Sequence, residues 1–353
     1  MSRAQSLVLL AALAAAGLFC AAGTAADRPP ARSVSDSELY LRVAERMRQG
    51  EPYYASMRVE IDALNYPFAG SVFNWRLPTL TWFDALAPSP RVVPLTLTAA
   101  GLVTIGFWFA YLRRRGLTPA LGASVLMLAM LPLWQHEGTS RLHDLWAGQL
   151  IAASLGSRAC GFGRLGVVFG ALALGIRELA LAYVLVMAAL AWYERQKQEL
   201  IAWGVVIVAF AAGLGFHVAA ASQVVADEAV APNWIALGGW CFVLRAARAY
   251  VVLFSSPTWF NALFMAAAVA GFTRWAGPAG RRVGLTMAAY LAAFVLAGLP
   301  VNWYWGFLVA PLVPLGLVGW LLAREPVSGG SARLPQQRPN EQAGHHEDRD
   351  GEQ

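Results

Sequence analysis

Long apolar runs limit this chain to very few folds. Ten of them contain no Asp, Glu, Lys or Arg, and they cover residues 7–26, 92–112, 117–134, 145–157, 165–176, 179–193, 200–221, 258–273, 283–299 and 306–323. An unpaired backbone amide is costly in hydrocarbon, and about 20 apolar residues in a helix cross a bilayer. The sequence therefore predicts an all-α fold, a polytopic transmembrane bundle of about ten spans.

The composition agrees with a membrane protein and excludes several soluble classes. Hydrophobic residues make up 58% of the chain and charged residues only 14%, against about 25% charged in soluble domains. The net charge of +6 comes with arginines in short loops, which is typical of topology signals rather than of nucleic-acid binding. No phosphate loop, HExxH or GxSxG motif occurs. The three cysteines are scattered, so we expect neither a disulfide framework nor a metal site from them.

The basic loops predict the orientation of the bundle. Basic residues cluster at alternate connections, namely Arg113 to Arg115, Arg158 with Arg164, Arg195 with Lys197, Arg274 with Arg281 and Arg282, and Arg324. Cytoplasmic loops carry this excess, so the C-terminal tail should lie inside. The pattern holds only if residues 165–193 form two short helices that meet at Arg177 and Glu178. That pair should therefore lie near the external surface.

Four regions follow from this pattern. Residues 1–26 are either the first transmembrane helix or a cleaved signal peptide, because small residues near Ala25 suit a signal peptidase. Residues 27–91 form a large periplasmic loop with interfacial helices, and residues 92–323 form the multi-span domain. Residues 324–353 are predicted to be a disordered cytoplasmic tail. Within the membrane domain, the stretch 222–257 reads as an external interfacial or re-entrant segment.

The first external loop contains an acidic pair at the start of an amphipathic helix. In "SDSELYLRVAERMRQGEPYY", residues 35–54, apolar residues recur at helical spacing and Gly50 is a natural stop. Asp36 and Glu38 lie in its first turn. They can simply cap the helix, since Ser35-x-x-Glu38 is a capping box. On the external face they can also hold a divalent cation or act as a general base.

The layout resembles the GT-C superfamily of membrane glycosyltransferases. The similarity lies in a first span, an acidic pair, the D-x-x-x-Y-x-x-x-A helix and its "GEPYY" ending. The resemblance implies transfer of a sugar from a polyprenyl-phosphate carrier, with Asp36 as the catalytic carboxylate and Glu38 as its partner. This chain departs from many members in that Ser37 separates the two acids.

Other residues are candidates for binding the substrate. Arg76 can pair with a phosphate, and Tyr66 and Trp75 can stack on a sugar. Arg177 can hold the carrier phosphate as it leaves, although Arg177 and Glu178 can also neutralise each other.

The last external turn supplies Trp303 and Tyr304, which are candidates for the wall of a sugar or lipid pocket. For Trp303 and Tyr304, as for the aromatic residues of the first loop, an aromatic belt at the headgroups is the alternative.

A metal site is the least specific of these predictions. Glu137, His143 and Asp144 lie close together in "WQHEGTSRLHDLWAG" and offer oxygen and nitrogen ligands. Their spacing matches no recognised motif, and His143 and Asp144 can instead cap the next helix. The sequence establishes no cofactor, and Mg²⁺ or Mn²⁺ is the candidate.

The expected function is transfer of a sugar from a polyprenyl-phosphate donor to a glycan, lipid or protein acceptor. The expected place is the periplasmic face of a bacterial inner membrane, with membrane lipid and no nucleic acid as a partner. A transporter or flippase of a lipid-linked substrate is the main alternative, since it would also need arginines and aromatic residues around a membrane cavity. A non-catalytic assembly protein is the third possibility.

Overall fold

The computed structural model describes residues 1–23, 36–66, 75–225 and 236–322, and these residues form helices joined by short loops. The predicted disordered tail, the signal-peptidase site, Ser35 and Asn74 lie outside the described residues. In chain order the helices are α1 (Arg3–Gly23), α2 (Asp36–Arg48), α3 (Tyr53–Ala63), α4 (Thr79–Leu86), α5 (Val92–Arg113), α6 (Leu117–Leu128), α7 (Leu131–Gln135), α8 (His143–Ala159), α9 (Gly163–Ile176), α10 (Leu181–Tyr193), α11 (Lys197–Ser222), α12 (Gly239–Ala247), α13 (Val251–Phe254), α14 (Thr258–Phe272), α15 (Gly277–Leu296) and α16 (Val313–Val318).

The helices that are long and apolar enough to cross a membrane are fewer than the apolar runs. Five helical stretches of the described chain are long and apolar enough to cross a membrane, namely Arg3–Ala22, Val92–Arg113, Leu117–Gln135, Lys197–Ser222 and Gly277–Leu296. Three apolar helices are shorter, at Gly163–Ile176, Glu178–Tyr193 and Thr258–Phe272. The chain is thus a helical protein with several candidate membrane spans.

The last predicted span, residues 306–323, is bent in the structure. The structure has a 3₁₀ segment, Pro300–Leu308, followed by the helical stretch Ala310–Val318, with a bend of 51° between them. Pro311 and Pro314 lie in the second piece, and proline removes a backbone donor and disfavours a continuous helix. Close packing adds to this, because a Cβ on Gly316 would lie 2.3 Å from the carbonyl oxygen of Ala268 in α14.

Helix α8 is the centre of the bundle. Every residue from His143 to Ser157 is buried, and α5, α9 and the segment Pro300–Leu308 pack around the helix. Small residues permit this, since a Cβ on Gly148 would lie 2.0 Å from the carbonyl oxygen of Phe307. A buried helix that begins with His143 and Asp144 places two polar side chains inside the protein.

The predicted division of residues 165–193 into two helices is confirmed. Helix α9 ends at Ile176, and Arg177 adopts an extended conformation with φ −142° and ψ 116°. A 3₁₀ turn over Glu178–Ala180 then leads into α10. The break places Arg177 and Glu178 at a helix junction rather than in the middle of a long helix.

The predicted amphipathic helix of the first loop is also present, as α2. Leu39, Tyr40 and Val43 are on its buried side, and they pack with residues of α3 and with Trp75. The chain turns at Gly50, where φ is +95°. This left-handed conformation is one that glycine adopts without steric cost.

A buried carboxylate attaches the first loop to the bundle. Asp84 in α4 accepts hydrogen bonds from Arg48 Nη2 at 2.8 Å and from Arg141 Nε at 2.7 Å. Asp84 and Arg141 are both almost fully buried. The contact joins the end of α2, α4 and the turn before α8, and it therefore fixes the loop over the start of α8.

The scattered cysteines led us to expect no disulfide framework, but the structure contains one disulfide. Cys20 in α1 and Cys241 in α12 form a disulfide, and their separation of 221 residues gives no pattern in the sequence. Helix α1 also packs along α14, where Ser6 and Thr273 share a hydrogen bond of 2.8 Å. The first apolar run is therefore a packed helix of the bundle.

Candidate functional site

Charged side chains from three distant parts of the chain meet at one end of the bundle. Arg76, which precedes α4, donates to Glu178 Oε1 at 3.3 Å through Nη1 and to the hydroxyl of Tyr304 at 3.4 Å through Nη2. Arg177 also donates to Glu178 Oε1. The Glu178 carboxylate is thus shared by two guanidinium groups.

Arg177 is the most buried charge of this cluster, with 1% of its surface exposed. Its Nε donates to Asp144 Oδ1 at 2.9 Å, so α8 supplies a second carboxylate. A buried charge is tolerated only when it is paired and hydrogen-bonded. Two arginines and two carboxylates, Arg76 and Arg177 with Asp144 and Glu178, meet this requirement together.

The first loop brings a carboxylate and two phenols to the same place. Tyr66 donates a hydrogen bond of 2.5 Å to Asp36 Oδ1. The ring of Tyr40, one helical turn after Asp36, lies against that of His143 with 4.6 Å between ring centroids. Burial raises the pKa of Tyr40 above its usual range, and the charges of Arg76, Asp36, Arg177 and Glu178 all act on this phenol. Asp36 therefore belongs electrostatically to the arginine cluster.

Both phenols stay protonated across the physiological range. Burial, followed by the neighbouring Asp36 carboxylate, raises the pKa of Tyr66 far above that of an exposed tyrosine. A protonated phenol donates a hydrogen bond to a carboxylate and holds it in one orientation. Tyr66 therefore holds the Asp36 carboxylate in one orientation.

His143 is neutral in this environment. Burial, together with the positive charges of Arg76 and Arg177, lowers the pKa of His143 to about 3. Its Nε2 is buried and has no hydrogen-bond partner in the part of the chain that the structure describes. The neutral ring fills space beside Tyr40 and adds no further positive charge to the arginine cluster.

The predicted acidic pair separates in space. Glu38 pairs with Arg42 over 2.7 Å, and both side chains are about half exposed, at 42% and 49%. Residues two positions apart point to different sides of a helix. Asp36 is bound by Tyr66, whereas Glu38 pairs with Arg42 on the solvent side of α2.

The predicted metal ligands do not assemble. Glu137 is exposed, Asp144 is bound by Arg177, and His143 lies against Tyr40. No group of three His, Cys, Asp or Glu in the described ranges is arranged to hold a metal ion. The three predicted ligands therefore have separate surroundings in the described structure.

Two of the predicted aromatic residues have packing roles. Trp75 is buried, and its carbonyl oxygen accepts a hydrogen bond of 2.9 Å from His217 Nε2. Trp303 packs against Phe254 and Phe307. Among residues 300–306 of the described structure, Tyr304 alone has a hydrogen bond with the arginines.

An apolar groove leads away from the cluster between α9 and α11. Its volume is about 720 Å³, and its lining includes Leu174, Val206, Phe210 and Leu214. Residues 77–79 are part of the lining, and the Thr79 hydroxyl donates to the carbonyl oxygen of Gly175 at 2.6 Å. Leu77 follows Arg76 directly in the chain, and Gly175 lies two residues before Arg177. Helix α11, which forms one wall of the groove, is the least buried of the long apolar helices that the structure describes.

Sequence reasoning missed several of these residues. Tyr40 follows Asp36 by four residues, and this spacing on a helix would have placed both on one side. Asp84 gave no local signal, because its partners Arg48 and Arg141 are distant in the sequence. The groove is made by helices that looked like ordinary spans.

Comparisons with known proteins give no further guidance, since no family model, no curated protein and no solved structure matches this chain.

Proposed function

We propose that this protein is a GT-C-like membrane glycosyltransferase, which transfers a sugar from a polyprenyl-phosphate carrier to an acceptor at the external face. The observation that carries the proposal is the apolar groove whose lining includes Leu77, next to Arg76 in the chain, and Gly175, two residues before Arg177. An isoprenoid chain needs an apolar groove open to lipid, and its phosphate needs fixed cationic donors. The groove and the arginines are connected here through neighbouring residues of the chain.

Arg76 is the better phosphate ligand of the two arginines. A guanidinium carries five N–H donors, and Arg76 uses one for Glu178 and one for Tyr304 among the described residues. Arg177 is more fully buried and is held by Asp144 and Glu178. Arg76 would bind the carrier phosphate and stabilise the negative charge on the leaving group. Arg177 would keep the cluster electrically balanced and in position.

Asp36 would act as the general base. The acceptor hydroxyl attacks the anomeric carbon, a new C–O bond forms, and the bond between the anomeric carbon and the phosphate oxygen breaks. The proton of the hydroxyl passes to Asp36, and the bonding electrons leave with the polyprenyl phosphate. Tyr66 orients the carboxylate through its hydrogen bond, and the charge that develops on the sugar is stabilised by nearby carboxylates.

The topology that accompanies this function has about ten membrane crossings, with the short helices and the bent stretch 300–318 counted as spans. The short helices would cross only the apolar centre of the bilayer, and their polar ends would lie in the membrane interface. The Cys20–Cys241 disulfide supports an external, oxidising position for the end of α1 and for α12. Asp36 and the break at Arg177 are then on that same external face.

The experiment supplies a panel of radiolabelled polyprenyl-phosphate sugars to purified protein in liposomes and follows transfer. Asp36→Asn should lower the rate by about 100- to 10,000-fold, the usual worth of a general base. The matched control Glu38→Gln removes an acid of the same helix and should leave the rate unchanged. Equal rates for wild type and Asp36→Asn would remove the base from the mechanism. Movement of the carrier across the bilayer without transfer would favour the flippase instead.

A further inference from the structure

A second cavity lies at the opposite ends of α9 and α11 from the arginine cluster. Its volume is about 840 Å³, and it is formed where α8 leads into α9 and where α10 leads into α11. The charge pattern of the sequence assigns these loops to the cytoplasmic side. The proposed glycosyl transfer has no use for a cavity at this end.

The lining of this cavity is strongly basic. The lining contains one carboxylate and four cationic side chains, namely Arg158, Arg164, Arg195 and Lys197. The carboxylate is Glu199, which pairs with Arg158 at 2.5 Å and accepts a hydrogen bond from the indole of Trp203. In the described ranges no carboxylate lies within 4 Å of the other three cations. They are available to an anion.

Two helix ends add to this positive potential. Helix α9 begins at Gly163 and α11 at Lys197, and both residues line the cavity. Neither helix has a side chain that caps its N-terminus. The free N–H groups of a first turn carry partial positive charge and bind phosphate oxygens. Side-chain cations and two helix termini therefore converge on one space.

The loop between α10 and α11 is held in a fixed conformation. Arg195 has a φ of +56°, a left-handed value that is uncommon for a residue with a side chain. Glu194 is held by two hydrogen bonds from Arg282, and Gln196 accepts a hydrogen bond of 2.8 Å from Arg158. The loop is anchored on both sides of Arg195, so the basic cavity is built before any ligand arrives.

The surroundings of the cavity indicate the kind of anion. Val167 and Ala202 are part of its lining. Beyond them the surface is apolar and faces outward, with Val168, Ile201 and Val205 exposed by 52%, 66% and 63%. A ligand with an anionic head and an apolar tail would place its head among the cations and its tail along α9 and α11.

From these features we infer that the cavity binds the phosphate headgroup of an anionic phospholipid of the cytoplasmic leaflet. The chemistry recognised is a phosphate oxygen surrounded by arginine and lysine donors and backbone N–H groups. The lipid is a fixed component at the base of α9 and α11, the two helices that form the groove on the other side. This site is independent of the proposed transfer reaction.

The test titrates the full-length protein in detergent with phosphatidylglycerol and, separately, with phosphatidylcholine of the same acyl chains, and counts bound lipids by native mass spectrometry. Arg164→Gln combined with Lys197→Gln should weaken phosphatidylglycerol binding about tenfold or more, since each basic side chain at the surface attracts an anionic lipid. The matched control, Arg113→Gln with Arg114→Gln, removes two exposed arginines from another loop on the same predicted side and should bind as the wild type does.

The same titration separates the possible outcomes. The two removed residues have no carboxylate partner in the described structure, so the thermal unfolding temperature of the double variant should match that of the wild type. Equal binding of the two lipids by the wild type would contradict the proposed site. An equal loss of phosphatidylglycerol binding in both double variants would contradict it as well. Displacement of phosphatidylglycerol by millimolar inorganic phosphate alone would overturn the assignment to a lipid and leave a free phosphate as the ligand.

Discussion

Nε of Arg177 donates a hydrogen bond of 2.9 Å to Oδ1 of Asp144, and this contact joins the break between α9 and α10 to the first turn of α8. The two residues are almost fully buried. Breaking a buried ion pair by removing one partner is more costly than replacing both partners, because the remaining charge is left without compensation. The pair therefore stabilises the helix break only while both members are present.

Arg177→Met should lower the free energy of unfolding by about 3–5 kcal/mol, because it leaves Asp144 without its partner. Arg177→Met combined with Asp144→Leu should recover a large part of that loss, since Glu178 still has Arg76 as a partner. Thermal unfolding in detergent measures both variants. A double variant less stable than the single one would contradict this account of the pair.

Asp84→Asn should loosen the attachment of α2 and α3 to the bundle. The carboxylate binds Arg48 and Arg141 together, and its loss leaves a buried guanidinium without charge compensation, at a cost of about 3–5 kcal/mol. Limited proteolysis should then cut within residues 36–66 faster than in the wild type. The matched control is Glu45→Gln, which removes the exposed partner of Arg48 and should change stability by less than about 1 kcal/mol. Equal proteolysis of both variants would argue against the anchor.

The free energy of unfolding should fall as the pH drops below about 6.5, because the buried His143 resists protonation. The pKa of His143 in the folded protein is about 3, against about 6.5 for a free histidine. Between these values the unfolded chain binds a proton that the folded chain does not, so the contribution of His143 is present above about pH 6.5 and is lost toward pH 3. His143→Gln should reduce the decline of the unfolding temperature over this range. The exposed His136, replaced by Gln, is the control and should leave the decline as it is.

Loss of either cysteine should remove the whole stabilising effect of the Cys20–Cys241 disulfide. Cys20→Ser and Cys241→Ser should each lower the free energy of unfolding by about 2–4 kcal/mol, and the double variant by the same amount. Alkylation of the unreduced, denatured protein should label one thiol, that of Cys160, and reduction should expose all three. Labelling of three thiols without a reductant would show that the bond is absent.

Part of this structure could be predicted from the sequence because the signals are local. Apolar runs, alternating basic loops and the parity argument at Arg177 each depend on neighbouring residues. The amphipathic pattern of α2 likewise reports which side of the helix is buried. These signals also correctly bring Asp36, Arg177 and the turn before α8 to one end of the bundle.

The remainder depends on contacts between distant residues. The sequence around Cys20 does not indicate that Cys241 is its partner. The sequence around Asp84 likewise does not indicate Arg141. Glu38 seemed equivalent to Asp36 because the argument used their proximity in sequence, whereas the rotation of a helix places them on different sides. The bent stretch 300–318 seemed a normal span because hydropathy does not record how proline and close packing change the backbone.

The disulfide makes the N-terminal helix and most of the membrane bundle one covalent ring. Cys20 lies near the end of α1, and Cys241 lies in α12, after α11. A peptide bond cut anywhere between them would open the ring without releasing either piece. Even a protease that acts just after α1 would therefore produce a two-chain protein, in which the short chain stays attached until the bond is reduced.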